Sequence, residues 1–131
     1  MGNTVWVRAS GAIVANTFVK LASGSVATQG TEAGLDTLGV ALNAAGAAGD
    51  MVCVQTDGLC LVEGHTASVA AGAEVSSHTD GRMDVATTTN DAILGKYMPE
   101  AIDGAALAAS GTTAGVLHRV LLYSDKTEQA A

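Results

Sequence analysis

The sequence predicts an all-β protein: a compact small β-barrel or sandwich with an extended N-terminal strand and Ala/Gly-rich loops. Three observations lead to this fold class. Short apolar segments recur with the two-residue period of a strand, and Gly, Asp and Ser residues that favour turns separate them. No segment combines a long 3.6-residue apolar period with helix caps. The alanine-rich stretches 43–49 and 104–115 are interrupted by glycines and are predicted to be loops.

The first predicted strand covers residues 4–9, in which Val5 and Val7 lie on one face and Trp6 and Arg8 on the other. Further strands are predicted along the rest of the chain, at 17–21, 38–42, 51–56, 59–63, 73–77, 82–85, 92–98 and 116–123. The last of them is the longest apolar run, which predicts a central strand.

Asp57-Gly58 predicts a β-hairpin between the strands at 51–56 and 59–63, because Asp-Gly favours the type I′ turn that matches strand twist. This register would pair Gln55 with Cys60 and Cys53 with Val62. The two cysteines would then lie diagonally, which disfavours a disulfide. Without a recognisable export leader, two free thiols are expected.

A weak internal repeat is visible at an offset of 56 residues. Segment 15–19 aligns with 71–75, and Leu38-Gly39 aligns with Leu94-Gly95. A further strand follows each half, after about ten extra residues in the second. The repeat predicts two similar β-units that complete one another, and the alternative is chance similarity in an Ala/Gly-rich chain.

The length of 131 residues fits one domain. We predict an N-terminal extended arm or strand over 1–10, a single β-rich domain over 11–123 and a polar tail over 124–131. Only four residues are aromatic, whereas 25 are alanine and 16 are glycine. Small side chains bury little area each, so self-association is expected to add stability.

The formal net charge of −7, with no basic patch, argues against a nucleic-acid partner, because that affinity comes mostly from neutralising phosphates. No run of about 18 apolar residues occurs, so no membrane partner is expected.

The residues that could carry chemistry fit no known catalytic pattern. Gly95-Lys96 is followed by Tyr97, where a phosphate-binding loop needs Ser or Thr. Ser77, His78 and Asp80 include the three triad residue types, but neighbours in an extended chain point to opposite faces. The three histidines are scattered, without metal-ligand spacing. We therefore expect no catalytic residue, no cofactor and no metal site.

Trp6 is the large side chain with the clearest potential for recognition, since exposed aromatic residues are enriched at binding hot spots. The alternative is that Trp6 covers the end of its own core. The candidate contacts with a partner protein or with other copies of the chain are the first-strand residues Thr4, Val5, Trp6, Val7 and Arg8. This segment could also add a strand to an exposed sheet edge of a partner.

Segments 38–45 and 49–54, followed by Asp57-Gly58, resemble a recurring signature of bacteriophage head decoration (capsid cement) proteins, a family often filed as a domain of unknown function. Segments 71–75, 80–82, 93–95 and 116–123 follow in that family's order, so the resemblance covers about residues 11–123. The longer loop at 101–114 and the N-terminal strand depart from it.

The resemblance implies a compact β-barrel-like fold without catalytic activity. It also implies that the protein is made in the host cytoplasm and lies on the outer capsid surface of the virion. There the protein would stabilise the head by bridging neighbouring subunits. Its expected partners are the major capsid protein and further copies of itself, as a homotrimer or, second, a dimer. The alternative is another minor virion component, such as a head fibre base or a tail part.

Overall fold

The computed structural model describes residues 2–30, 36–64, 72–86, 92–98 and 117–128. These residues form ten strands and no α-helix. The strands are β1 (Thr4–Arg8), β2 (Phe18–Ala22), β3 (Ser25–Thr28), β4 (Thr37–Ala41), β5 (Met51–Gln55), β6 (Gly58–Glu63), β7 (Glu74–Ser77), β8 (Met83–Val85), β9 (Ala92–Tyr97) and β10 (Leu117–Glu128).

The strands build two five-stranded antiparallel sheets. The order is β1-β5-β4-β2-β3 in the first sheet and β6-β10-β9-β7-β8 in the second. The arrangement is sandwich-like, and neither sheet closes into a barrel. The predicted all-β class is therefore confirmed, with the sandwich rather than a closed barrel as its form.

The two sheets repeat one another strand for strand. Val19 pairs with Gly39 in the first sheet, and Val75 pairs with Gly95 in the second, at the predicted offset of 56 residues. The outer strands agree as well, because the pairs of β1 with β5 have counterparts in the pairs of β6 with β10. This correspondence of register confirms two similar β-units, here called the first half (β1–β5) and the second half (β6–β10).

The offset grows by ten residues between β4 and β5. Ala41 pairs with Val54, and the corresponding pair in the second half is Tyr97 with Val120. The predicted extra loop before the last strand accounts for this difference. It falls at 99–116, outside the described residues.

Two apolar clusters form the core. One lies within the first half: Ala9, Ile13, Val19, Val26, Ala41, Ala45, Val52 and Val54. The other combines side chains of the second half with two from the first: Phe18, Val40, Cys60, Val62, Val75, Met83, Ala92, Leu94, Tyr97, Val120 and Leu122. Phe18 and Val40 are cross-strand neighbours on β2 and β4, and both are fully buried. The first half is therefore joined to the second by apolar burial.

Hydrogen bonds reinforce this junction, which we call the seam. The Phe18 N–H donates to the Gly81 carbonyl at 2.8 Å, and the Glu63 N–H donates to the Asn16 carbonyl at 2.7 Å. The Asn16 side chain also donates from Nδ2 to the Leu61 carbonyl at 3.2 Å. Asn16 therefore caps the outer edge of β6, whose backbone groups would otherwise remain open.

The predicted hairpin at Asp57-Gly58 is wrong. β5 and β6 lie in different sheets, since β1 and β4 occupy the two sides of β5 and β6 pairs with β10. Gly58 does adopt a positive φ of 83°, and the Asp57 carboxylate is bound by Asn3. Asp57-Gly58 thus lies in a turn, as its sequence indicates, but this turn leads the chain from the first sheet to the second.

Two further predictions need correction. β3 was not predicted, because its four residues, Ser-Val-Ala-Thr, follow a turn that we interpreted as the end of the preceding strand. The last strand continues to Glu128, five residues into the segment predicted to be a polar tail, and pairs there with Ile93 and Ala92. As predicted, β10 is an interior strand, with β6 and β9 on its two sides.

Candidate interaction surface

The predicted contact segment is an edge strand of the first sheet. Thr4 to Arg8 form β1, which pairs along its length with β5. Both ends are held in place: Asn3 donates from its backbone N and from Nδ2 to the Asp57 carboxylate at 2.8 and 3.0 Å, and the Ala9 N–H donates to the Asp50 carbonyl at 2.8 Å. Ala9 itself is buried in the first core cluster. The segment is thus built into the sheet.

The outer edge of β1 is open as far as the Arg8 N–H; beyond it, Ala9 forms a bridge with Val26 of β3 and the Ser10 N–H donates to the Val26 carbonyl. The Thr56 N–H donates to Asn3, and the Ala9 N–H donates to Asp50, so alternate residues between them face β5. The N–H of Arg8 and the carbonyl of Trp6 consequently point away from the sheet. Among the described residues, none caps them in the way that Asn16 caps β6.

Trp6 is 62% exposed and belongs to neither core cluster. The alternative in which Trp6 covers the end of its own core is therefore wrong. Thr4, Val5 and Arg8 are also exposed, whereas Val7 packs against the first core cluster. The structure does not test whether these residues contact a partner, so the interface role of β1 stays a prediction.

Trp6 is the first of a row of side chains that runs across the first sheet. It pairs with Cys53, and the Leu42 N–H donates to the Cys53 carbonyl at 2.8 Å, so the three residues occupy one row on one face. Met51 lies beside this row, opposite Arg8. Leu42 and Met51 are 38% and 45% exposed. We call Trp6, Cys53, Leu42 and Met51 the first apolar patch.

The second sheet carries the corresponding patch. Leu61 pairs with Arg119, and the Met98 N–H donates to the Arg119 carbonyl at 3.0 Å. Leu117, the counterpart of Met51, lies beside this row opposite Glu63. The exposures are again high, at 47% for Leu61, 36% for Met98 and 44% for Leu117. We call these four residues, Leu61, Arg119, Met98 and Leu117, the second apolar patch.

The two patches meet at an open cavity of about 260 Å³ over the seam. Its walls come from both halves: Asn16, Leu42, Gln55, Leu59, Cys60, Leu61 and Arg119. Gln55 donates from Nε2 to the carbonyls of Asp57 and Leu59 at 2.8 and 2.7 Å. These bonds fix the Gln55 side chain where the chain passes from β5 to β6. Sequence reasoning missed this surface, because its residues come from β5, β6 and β10 and from Asn16 and Leu42 outside the strands, which only the tertiary fold brings together.

Both cysteines are free, as predicted, with Cys60 buried and Cys53 half-buried. Burial raises the pKa of the Cys60 thiol to about 11, because the thiolate would lose its hydration. Cys60 is thus a neutral thiol in the wall of the cavity at ordinary pH.

The free energy of unfolding is expected to fall between pH 9 and pH 11 in part through Cys60. In this window the unfolded chain has released the Cys60 proton and the folded chain retains it, so rising pH favours unfolding. Urea titrations at pH 8 and pH 10.5 measure the loss. The loss should be smaller in Cys60→Val and unchanged in the matched control Cys53→Val. Equal losses in all three proteins would contradict the assignment.

The residues that suggested a triad do not assemble into one. The Ser77 hydroxyl donates to the His78 carbonyl at 2.8 Å, and His78 Nδ1 lies 3.3 Å from the Asp84 carboxylate rather than next to Asp80. Asp80 instead accepts from the Arg82 N–H in the turn. Within the described ranges, no three His, Cys, Asp or Glu side chains are grouped so that they could hold a metal ion. That same part of the chain contains no helix long and apolar enough to cross a membrane.

Comparisons with known proteins give a match in shape and none in sequence. No protein-family model matches the chain, and no curated protein is similar to it in sequence. The fold is similar to that of the crystal structure of the head fiber gp8.5 N base in bacteriophage phi29, with a TM-score of 0.62 and 14% sequence identity. The similarity covers 98% of this chain and 100% of that chain.

Proposed function

We propose that the chain is a non-enzymatic structural component of a bacteriophage virion, which binds the outer surface of the assembled capsid and stabilises it by bridging neighbouring capsid subunits. Its partners are the major capsid protein and further copies of itself, as a homotrimer or, second, a dimer. The observation that carries the proposal is the similarity of fold, over the whole of both chains, to a protein named as a phage head component.

The order of short segments that resembles decoration proteins points to the same class of function, although no protein-family model matches the chain. This resemblance depends on the order of short segments, whereas the similarity of fold depends on topology, so the two lines of support are distinct. The name of the structural neighbour also favours the runner-up, the base of a head fibre. Both functions need a surface that attaches to a phage head. Copy number separates them, because cement is expected at hundreds of copies per particle and a fibre base at few.

The surfaces that we assign to the capsid are the parts of the two apolar patches away from Trp6 and Met98: Leu42 and Met51 in the first patch, and Leu61 and Leu117 in the second. They occupy equivalent places on two similar sheets, and each contains or adjoins an arginine, Arg119 in the second patch and Arg8 beside the first. The chain has only six Lys and Arg residues against 13 Asp and Glu, and Glu63 lies opposite Leu117, so the patches combine apolar side chains with charged neighbours. A partner with a repeating surface can bind both patches at once. Simultaneous binding then gives a higher overall affinity than either contact alone.

Binding to empty, expanded heads tests this assignment. The double variant Met51→Ser/Leu117→Ser removes one exposed apolar side chain from each patch and leaves both core clusters intact. Because apolar anchors dominate interface energies, we expect at least a tenfold loss of affinity, measured as occupancy in co-sedimentation with heads.

Leu21→Ser is the matched control, since Leu21 is 54% exposed on β2 and belongs to neither patch. The control is expected to decorate heads like the parent protein. Full occupancy by the double variant would remove the patches from the interface. Failure of the parent protein to bind heads at any concentration would contradict the proposed function itself.

A further inference from the structure

The seam between the two halves shows how one unit of this fold binds another. Asn16 and Leu42 of the first half lie at the outer edge of β6 in the second half, whereas Phe18 bonds to Gly81 between β7 and β8 and packs in the core cluster of the second half. At the edge of β6, Asn16 bonds to Leu61 and Glu63, and Leu42 and Leu61 line the same cavity. In the second half, Met98 corresponds to Leu42, Glu74 to Phe18 and Gly72 to Asn16, so the carbonyl of the Asn16 cap has a counterpart there but its side-chain amide does not.

In the first half, the outer edge of β1 is equivalent to the outer edge of β6, and it is open at Trp6 and at the Arg8 N–H. β1 is the counterpart of β6, with Trp6 in the place of Leu61 and Arg8 in the place of Glu63. The Trp6 side chain is 62% exposed, and the backbone groups at Trp6 and Arg8 that correspond to the capped groups of β6 point away from the sheet. The first half can therefore receive one more unit.

The second half also has a surface equivalent to the one that Phe18, Val40 and Leu42 form in the first half. Glu74 and Lys96 are cross-strand partners at the positions of Phe18 and Val40, and Met98 stands at the position of Leu42. Glu74 is exposed, Lys96 is half-buried and Met98 is 36% exposed. At the seam, the corresponding side chains Phe18 and Val40 are fully buried by the other half.

We propose that a second copy of this chain occupies the open β1 edge, presenting its Glu74–Met98 face in the manner of the seam. Met98 of one copy then packs against Trp6 of the next, as Leu42 and Leu61 share a cavity wall within one chain. Glu74 of one copy lies opposite Arg8 of the next, which gives the contact complementary charges. Continuity with the seam is the argument for this occupant.

The contact is heterologous, because the edge and the face are different surfaces. Each copy has one of each, so association proceeds head to tail and ends when a ring closes. The inference specifies the self-association included in the proposed function, and it does not require the capsid. Its test therefore uses purified protein without heads, and failure here leaves the head-binding experiment unaffected.

Two variants with complementary defects test the contact. Trp6→Ser/Arg8→Glu disables the edge, and Glu74→Lys/Met98→Ser disables the face, with changes only at exposed or partly exposed positions. Sedimentation velocity should show an oligomer for the parent protein and a monomer for each variant. An equimolar mixture of the two variants should form a one-to-one dimer and nothing larger, since one intact edge meets one intact face.

Circular dichroism and thermal melting establish that each variant is folded, and Leu21→Ser should remain as associated as the parent protein. The charge exchange Arg8→Glu/Glu74→Arg within one chain should restore association that either single change weakens. A monomeric parent protein, a mixture that stays monomeric, or folded variants that still associate would each overturn the proposal.

Discussion

Replacing Phe18 with alanine is expected to lower the free energy of unfolding by about 3–5 kcal/mol, the range for a large aromatic side chain removed from a core. Phe18 is fully buried and is the largest of the completely buried side chains among the described residues. It belongs to β2 of the first sheet but packs in the cluster of the second half. Its loss therefore leaves a cavity at the contact on which both halves depend.

Urea denaturation at neutral pH measures this loss. Phe18→Leu should lose less, because it leaves a smaller cavity. Leu21→Ala is the matched control, since it truncates a side chain on the same strand that is 54% exposed. Because a domain of this size is stable by only about 5–15 kcal/mol, Phe18→Ala should be close to unfolding at 37 °C. A loss below 1 kcal/mol would contradict the role assigned to Phe18.

Alanine at Gly39 or Gly95 is expected to destabilise the fold by about 1–3 kcal/mol or more, as overpacking does in a well-packed core. A Cβ atom at Gly39 would collide with the carbonyl oxygen of Gln55, and one at Gly95 would collide with that of Leu121. Both obstacles are backbone atoms of the neighbouring strand, which cannot move without breaking ladder hydrogen bonds. The two positions are counterparts in the repeat, so losses of similar size are expected.

Thermal unfolding of Gly39→Ala, Gly95→Ala and the control Gly11→Ala provides the comparison. A Cβ atom at Gly11 would meet no atom within 4 Å, so no steric cost is expected there. Unchanged melting temperatures in the two strand variants would show that the strands can separate enough to admit a methyl group.

The strands that could be predicted are those whose own side chains alternate. β1, with Val5 and Val7 on one face and Trp6 and Arg8 on the other, carries that signal within five residues. β3 does not, because Val26 is the one large apolar side chain among its four residues. The repeat contained the missing information, since β8 was predicted and is the counterpart of β3 in register with the preceding strand.

Pairing between strands was harder to predict than the strands themselves. Asp57-Gly58 signals a tight turn, but a turn does not determine whether the next strand returns to the same sheet. Here one partner of β5 is the preceding strand, through residues 40 and 41, and the other comes from a distant part of the chain, residues 4–8. Those pairings are made by burial of the whole first core cluster, which a local pattern cannot represent.

The candidate surface was predicted only at its N-terminal end. Trp6 was identified because a large aromatic side chain is rare in this sequence and stood on the face opposite the two valines. Its neighbours Leu42 and Met51 are ordinary apolar residues of other segments, and only the register places them beside it. A surface assembled across strands has no contiguous sequence signal.

The substitution of Phe18 and Val40 by Glu74 and Lys96 at corresponding places gives the molecule a polarity. The apolar version of this surface lies inside the polypeptide, where it joins the two halves as the chain folds. In the charged version Glu74 is exposed and Lys96 is half-buried, so this surface does not need an apolar partner to cover it. The same position of the duplicated unit is thus an internal junction in one half and an outer surface in the other.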